Sequence, residues 1–216
     1  NEMITIIQTN DGSSSLYHKT IDETYHSIHG ARQESRHVFI QEGLHKINKK
    51  NISLLEIGFG TVLNALLTLI LAQNINIQYE SIEGFPLDPN IHNQFGDTLP
   101  NNEKNIYKRI YKAPWNKNIK LSPLFSLHKK KCLFENAHYS NTYDIVYFDA
   151  FSPTKQAECW TETILKQIYN AMNTNAIFVT YCAKGIIKRR LKNIGFHVES
   201  PAGPPGKREM IRAIKK

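Results

Sequence analysis

The chain is poor in cysteine: Cys132, Cys159 and Cys182 are scattered through 216 residues, with no C-x-x-C pair among them. This spacing speaks against a disulfide scaffold and predicts free thiols in a reducing compartment. No apolar run approaches the ~20 residues of a membrane-spanning helix, so no membrane partner is expected. No charged segment followed by an apolar one opens the chain, and a cytoplasmic location is expected. Internal repeats are absent, as is any linker that would separate domains. His26, His29 and His37 lie near one another, but neither a cysteine nor an H-E-x-x-H spacing accompanies them, so no metal is expected. Acids are the scarcer charge, 19 Asp and Glu against 27 Lys and Arg, a formal +8. That balance suits a polyanionic partner such as RNA, although a solvated surface rich in lysine gives the same charge. With 41% hydrophobic and 21% charged residues the composition is that of a folded chain, not a disordered one. The length predicts one domain, residues 1–216, in which 1–48 form an extension packed on the rest.

What is present is organised around residues 53–64, Ser-Leu-Leu-Glu-Ile-Gly-Phe-Gly-Thr-Val-Leu-Asn. The apolar run Ile52 to Ile57 predicts a strand covered on both faces. Gly58 and Gly60 permit a sharp turn and close approach of a ligand. From Leu63 to Gln73 there is neither proline nor glycine, which predicts a helix whose N-terminus faces the loop. Dinucleotide loops read G-x-G-x-x-G and hold a pyrophosphate on backbone amides. Here the pattern is E-x-G-x-G-x-V, and the Glu56 carboxylate would repel a pyrophosphate and attract a cationic amino-acid group. S-adenosyl-L-methionine offers an ammonium and a sulfonium and carries no phosphate. An E/D-x-G-x-G loop of this kind resembles that of Rossmann-like methyltransferases.

The remaining chain alternates strand and helix. Residues 4–8 and a run through Leu16 and Tyr17 flank Asp11-Gly12 as a hairpin. Val38, Phe39, Ile40 and Leu44 are spaced as one helical face. A second strand runs from Ile75 to Glu83, ending in an acid about 20 residues past the loop. In Rossmann-like folds that position holds ribose hydroxyls; Glu83 is the better candidate and Glu80 the reserve. Residues 88–118 are polar and predict irregular or weakly helical surface. Further strands are expected at 124–128, 144–149 and 176–182, and helices at 157–172 and 184–193. Phe196 to Glu199 and Glu209 to Ile214 predict a terminal strand pair. This is an α/β pattern: a mostly parallel Rossmann-like sheet with a terminal antiparallel strand and an N-terminal β-hairpin extension. Glu56, Glu83 and Asp149 all end strands, where such sheets collect ligands.

The segments 29–35 (His-Gly-Ala-Arg-Gln-Glu-Ser), 56–61, 83–87 (Glu-Gly-Phe-Pro-Leu), 113–115 (Ala-Pro-Trp), 149–153 (Asp-Ala-Phe-Ser-Pro) and 206–210 (Gly-Lys-Arg-Glu-Met) come in an order that spans nearly the whole chain. Together they resemble the methyltransferase family that finishes 5-methylaminomethyl-2-thiouridine in tRNA. Two departures stand out: Val62 replaces a loop glycine, and Lys130-Lys131 replace a Gly-Asp seen in some members. The resemblance implies a class I methyltransferase that moves a methyl group from S-adenosyl-L-methionine to the amine of 5-aminomethyl-2-thiouridine at the wobble position. It implies that Glu56, Gly58, Gly60, Asn64 and Glu83 hold the cofactor. Asp149 is the expected catalytic acceptor for the amine. Glu34, Phe151, Pro153, Lys184, Lys207 and Arg208 are expected to meet the tRNA anticodon stem-loop, with Lys188, Arg189 and Arg190 as further phosphate contacts. Phe151 and Trp115 are stacking candidates. In some relatives the domain that makes the amine is fused behind this one; a stand-alone form coupled to a separate enzyme is expected here. Two other readings compete: an aminopropyl transferase or similar enzyme acting on a small amine, and a non-enzymatic RNA-binding protein on the same scaffold.

Overall fold

Asp11-Gly12 reverses the chain as its composition predicts, Gly12 taking φ +83°. In the computed structural model, which describes residues 3–139 and 142–216, the flanking strands β1 (Ile4–Gln8) and β2 (Ser14–His18) pair antiparallel, and β3 (Glu23–Thr24) joins β2. The short helix α1 (Ala31–Ser35) runs directly into a π-helical turn, Arg36–Gln41. This turn buries Val38, Phe39 and Ile40; Leu44, read onto the same helical face, is buried on the separate 3-10 turn Leu44–Lys46.

An eight-stranded sheet follows. Along the chain it is built from β4 (Asn51–Ile57), α2 (Leu63–Leu71), β5 (Asn76–Glu83), α3 (Pro89–Asp97), α4 (Asn101–Lys112), β6 (Asn118–Ser122), β7 (Phe125–Lys131), β8 (Tyr143–Phe148), α5 (Glu162–Asn170), β9 (Met172–Thr180), α6 (Gly185–Ile194), β10 (Phe196–Glu199) and β11 (Ile211–Lys215). The spatial order is β10-β11-β9-β8-β4-β5-β7-β6. The five strands from β9 to β7 are mutually parallel, and their apolar runs are covered on both faces. Both edges are antiparallel: β11 against β9 with β10 outside it, and β6 against β7. The terminal pair was expected. The edge strand β6 was not, because residues 118–122 (Asn-Ile-Lys-Leu-Ser) bury only every other side chain and carry a weak signal.

Two further expectations are corrected. Residues 88–118, read as irregular or weakly helical, hold two regular helices, α3 and α4, and run into β6 at Asn118. Asp88 caps α3 by accepting the Asn90 N–H at 2.8 Å, with Pro89 in the first turn. In α4, Glu103, Tyr107 and Ile110 recur on one buried face, while the lysines and asparagines that made the segment look like loop lie mainly outside. Residues 157–172, read as one helix, are a 3-10 turn (Ala157–Trp160) and then α5, separated at Thr161, whose hydroxyl accepts the Ile164 N–H.

The sheet divides the core in two. One side holds Phe39, Leu54, Leu66, Tyr79, Tyr107 and Tyr147, with Leu16 of the small sheet; the other holds Leu55, Phe148, Trp160, Leu165, Phe178 and Leu191. From β4 the chain builds outward through β5 and β7, then returns to fill β8 and β9 on the opposite side. The strand order therefore reverses between β4 and β8, and their carboxyl ends open a crevice at that switch point.

Candidate active site

The loop after β4 is pinned from both sides. Gly58 donates its N–H to the Ile82 carbonyl at 3.0 Å, and Asp149 donates its own to Ile57 at 2.9 Å. Gly58 has φ +94°, and a β-carbon there would stand 2.6 Å from the Asp149 carbonyl oxygen, so only glycine lets the loop cross the end of β8. Val62 takes the left-handed conformation, φ +76°, at the head of α2 and is fully buried. For a β-branched residue this costs about 1–3 kcal/mol, strain stored in the loop that resembles a nucleotide site.

Glu83 ends β5 and braces the loop. One carboxylate oxygen accepts the Gly60 N–H at 3.1 Å and the other the Phe85 N–H at 3.1 Å. Burial raises its pKa, opposed by these amides. A carboxylate has about four lone-pair sites, so two remain for hydroxyls. A pyrophosphate would find the Gly60 amide already engaged and a carboxylate beside it. Glu80, the reserve, serves elsewhere: it accepts the Tyr143 hydroxyl and pairs with Lys130 at 2.8 Å. Glu56 lies beneath the loop, fully buried, next to Ser81 in strand register, and its carboxyl accepts the Ser81 hydroxyl at 2.7 Å. Burial pushes its pKa to about 8, so it is largely a neutral acid at pH 7.

Over the switch point lies a cavity of about 510 Å³. Gly58 to Thr61, Glu83 and Asp149 to Phe151 form its base; Phe85, Leu87, Ile91 and Phe134 line one side, and Met3, Ile4, Ile21 and Tyr25 of the N-terminal segment the other. Its size suits a nucleoside-sized ligand. The apolar flanks suit an adenine ring, and Glu83 suits a ribose diol. Glu56 and Asn64 are not on its wall.

Asn64 instead holds Asp149. Its side-chain N–H₂ donates to Oδ2 of Asp149 at 2.8 Å, and its carbonyl accepts the Ser35 hydroxyl at 2.5 Å. The same Oδ2 lies 3.4 Å from Nε2 of His26, whose ring is buried. Asp149 lines the cavity, and its Oδ1 has no hydrogen bond among the described residues. His26 was set aside in the sequence with the other histidines; adjacency to the 29–35 segment was the one signal that pointed to it. Ser35 carried no signal of its own.

Two smaller cavities adjoin, sharing Tyr181 with the first. One of about 290 Å³ is lined by Glu23, Tyr25, His26, His29, Glu34 and Lys207 among others. The second, about 440 Å³ and open, lies between Ser152-Pro153 and Cys182 to Lys184, with Lys207 and Arg208 opposite. Tyr181 follows the end of β9, a position that the strand-end rule covers but that was not singled out. Glu34 is buried, accepts the Ser27 N–H at 3.1 Å and pairs with Lys207 at 2.9 Å. Lys207 also lies over the Tyr181 ring, 4.6 Å from its centre. The loop bearing Lys207 and Arg208 is seated on His29: Gly206 has φ +86°, and a β-carbon there would collide with that imidazole at 2.3 Å. Segments 29–35 and 206–210, far apart in sequence, thus form one wall.

Phe151 lines the large cavity, edge-on to Tyr25 at 5.0 Å, with its N–H on the Gln156 side chain at 3.1 Å. Trp115 lies off the cavity walls and meets Phe59 and the buried Lys129 ammonium, 4.5 Å over its ring. Among the surface cations, Lys188 pairs with Glu209 at 2.8 Å and Arg190 donates to the Trp160 carbonyl at 2.8 Å. Lys184, Arg189 and Arg208 are exposed and form no ion pair among the described residues. No three His, Cys, Asp or Glu among the described residues are grouped to hold a metal, and no described helix is long and apolar enough to cross a membrane.

The profile of a family described as S-adenosyl-L-methionine-dependent methyltransferase matches residues 91–216. The tRNA 5-methylaminomethyl-2-thiouridine biosynthesis bifunctional protein MnmC of Campylobacter hominis is 29% identical over 211 residues, 92% of this chain and 31% of the relative. Its counterpart in Pseudoalteromonas atlantica is 26% identical over 89% of this chain and 31% of its own length. The chain thus spans about a third of these relatives. The crystal structure of MnmC2 from Aquifex aeolicus superposes with a TM-score of 0.81 at 26% identity, covering 99% of this chain and 70% of that one. Spermidine synthase from Thermotoga maritima, at TM-score 0.59 and 15% identity, shares the fold. The chain belongs to the family of S-adenosyl-L-methionine-dependent methyltransferases.

Proposed function

We propose that this protein methylates the primary amine of 5-aminomethyl-2-thiouridine in the anticodon stem-loop of tRNA, giving 5-methylaminomethyl-2-thiouridine. Residues 1–216 act in this reading as one methyltransferase domain, with 1–48 covering its cofactor cavity. The observation that carries it is the Asp149 carboxylate, fixed by Asn64 on the wall of a nucleoside-sized cavity that shares Tyr181 with a basic surface cleft. When bound, S-adenosyl-L-methionine supplies an electrophilic methyl on its sulfonium. Glu83 would hold the ribose diol, while Glu56 sits beneath the loop near the amino-acid end. Asp149 accepts an N–H of the amine, aims its lone pair and keeps the neutral form in place. The cleft between Pro153 and Arg208 would admit the modified base past Tyr181, with Phe151 beside the reacting groups. Lys184 and Arg208 would meet backbone phosphates. An aminopropyl transferase needs a cleft that welcomes a polycation, and this mouth is positively charged.

The direct test supplies methyl-labelled S-adenosyl-L-methionine and tRNA bearing the aminomethyl nucleoside, then digests the tRNA for nucleoside mass analysis. The expected product is heavier by one methylene, on that nucleoside alone. Unchanged nucleosides alongside label in a small polyamine would reject the tRNA reading.

Two further outcomes are expected. Glu83→Ala weakens S-adenosyl-L-methionine binding by about 1–3 kcal/mol, the range for unpairing buried hydroxyls, as read by titration calorimetry. Equal affinity in the variant would move the ribose role away from Glu83. Lys184→Glu with Arg208→Glu weakens tRNA binding and lowers the slope of log affinity against log salt by about 2, leaving cofactor affinity unchanged. An unaltered slope would place the RNA surface elsewhere.

A further inference from the structure

We propose that His26 is the proton acceptor for the substrate amine, with Asp149 orienting its imidazole. This rests on the functional reading above and deepens it. His26 lies on the segment between β3 and α1, outside the sheet whose strand ends carry the acids. It lines both the large cavity and the 290 Å³ cavity beside it, so it stands where the two meet. Its side chain is only 4% exposed. Nε2 lies 3.4 Å from Oδ2 of Asp149, at ion-pair distance, and neither ring nitrogen has an aligned hydrogen-bond partner among the described residues. A buried ring nitrogen without a partner is costly and needs an occupant. A ring that presents Nε2–H to a carboxylate leaves Nδ1 as a free acceptor.

The neighbouring charges favour a ring that gains a proton. Asp149 faces it from the end of β8 and Glu34 from α1, while neutral Asn64 reaches it from α2. Glu23, His29, Tyr181 and Lys207 share the smaller cavity with it, the last already paired to Glu34. Burial by itself would lower the imidazole pKa; the two carboxylates outweigh it and hold the pKa above the ordinary histidine value. The N–H bond of the ammonium breaks, its electron pair stays on nitrogen as the lone pair that attacks, and the proton goes to Nδ1. The resulting imidazolium is neutralised by Asp149. Oδ1 of Asp149 remains to accept a second N–H and aim the amine.

The test compares wild-type protein with His26→Gln. With His26 as acceptor, kcat/KM of the wild type rises through the histidine pKa and then levels, because the neutral ring and the ammonium must coexist. His26→Gln should be about 10²-fold slower at pH 7.5, and its rate should keep climbing with pH toward the amine's own pKa. S-adenosyl-L-methionine affinity should change less than twofold. A second readout needs no catalysis: ¹⁵N NMR of the histidine rings should show His26 as the Nε2–H tautomer when neutral, and Asp149→Asn should lower its pKa. If His26→Gln fails to fold, this titration on wild type and Asp149→Asn decides alone. Equal rates and one shared pH profile, or a neutral ring carrying its proton on Nδ1, would overturn the assignment. Wild-type protein that transfers no methyl group sinks the functional reading and this one with it; an active wild type beside an equally active His26→Gln sinks only this one.

Discussion

Asp149→Ala is expected to slow methyl transfer by roughly 10²–10⁴, the range for a positioned group that handles a proton in the transition state. In the proposed reaction the amine arrives mostly as an ammonium, and protonation removes the lone pair that must attack. Asp149 is held in place by the protein itself: Ser35 sets Asn64, and Asn64 holds Oδ2, leaving Oδ1 without a hydrogen bond among the described residues. Losing the carboxylate removes that acceptor and also leaves His26 and the Asn64 amide without their partner. Binding should suffer far less than turnover, since the interaction is strongest in the transition state. Asp149→Asn separates two roles. It keeps a carbonyl acceptor but cannot neutralise a proton taken up beside it. Partial activity in Asn and almost none in Ala would assign orientation as the larger share. Turnover near the wild type in Ala, with cofactor and aminomethyl tRNA saturating, would remove Asp149 from the reaction.

The acids at strand ends were legible because a carboxylate closing an apolar run is a local pattern, and the parallel sheet turns local pattern into shared location. Glu83 and Asp149 reach the cavity on that logic alone. Glu56 follows the same rule in sequence yet lies under the loop, since the turn at Gly58 carries the backbone across it. What stayed hidden depends on long-range contact. Nothing near Ser35 says that it meets Asn64, 29 residues on, and nothing near Gly206 says that it seats on His29. The helices α3 and α4 were only weakly legible, for another reason. Their exposed faces are so rich in asparagine and lysine that the apolar period is thin, and the burial of Tyr107 under its hydrogen bond to the Thr61 carbonyl is a tertiary fact. The charge run at the surface was legible in number and not in availability: ion pairing to Glu209 and Glu34 takes up Lys188 and Lys207, leaving Lys184 and Arg208 at the cleft.

Glu56 leads to the second large effect, on stability. Its carboxyl is fully buried with one oxygen on the Ser81 hydroxyl and the other without a partner. Burial is the chief cause of its raised pKa; the Asp149 charge adds to it, while the Ser81 hydroxyl opposes it. A pKa moved from 4.5 to about 8 means that the folded state prefers the neutral acid. The sign follows from proton linkage: the contribution is fully present below about pH 4.5, is lost as pH climbs, and is gone above about pH 8. The whole span is worth on the order of 4–5 kcal/mol. Other carboxylates work in the opposite sense, Asp144 among them, its pKa lowered by Lys49 and the Ser53 amide against the effect of burial. The comparison that isolates Glu56 is therefore wild type against Glu56→Gln. Glutamine keeps the shape and cannot ionise, so its stability relative to wild type should rise with pH, by roughly 4 kcal/mol between pH 5 and pH 8.5, and then stay level. Urea unfolding of the ligand-free protein across that range gives the difference directly. A gap that stays constant from pH 5 to pH 9 would mean that Glu56 is ionised throughout, with a pKa no higher than that of the unfolded chain.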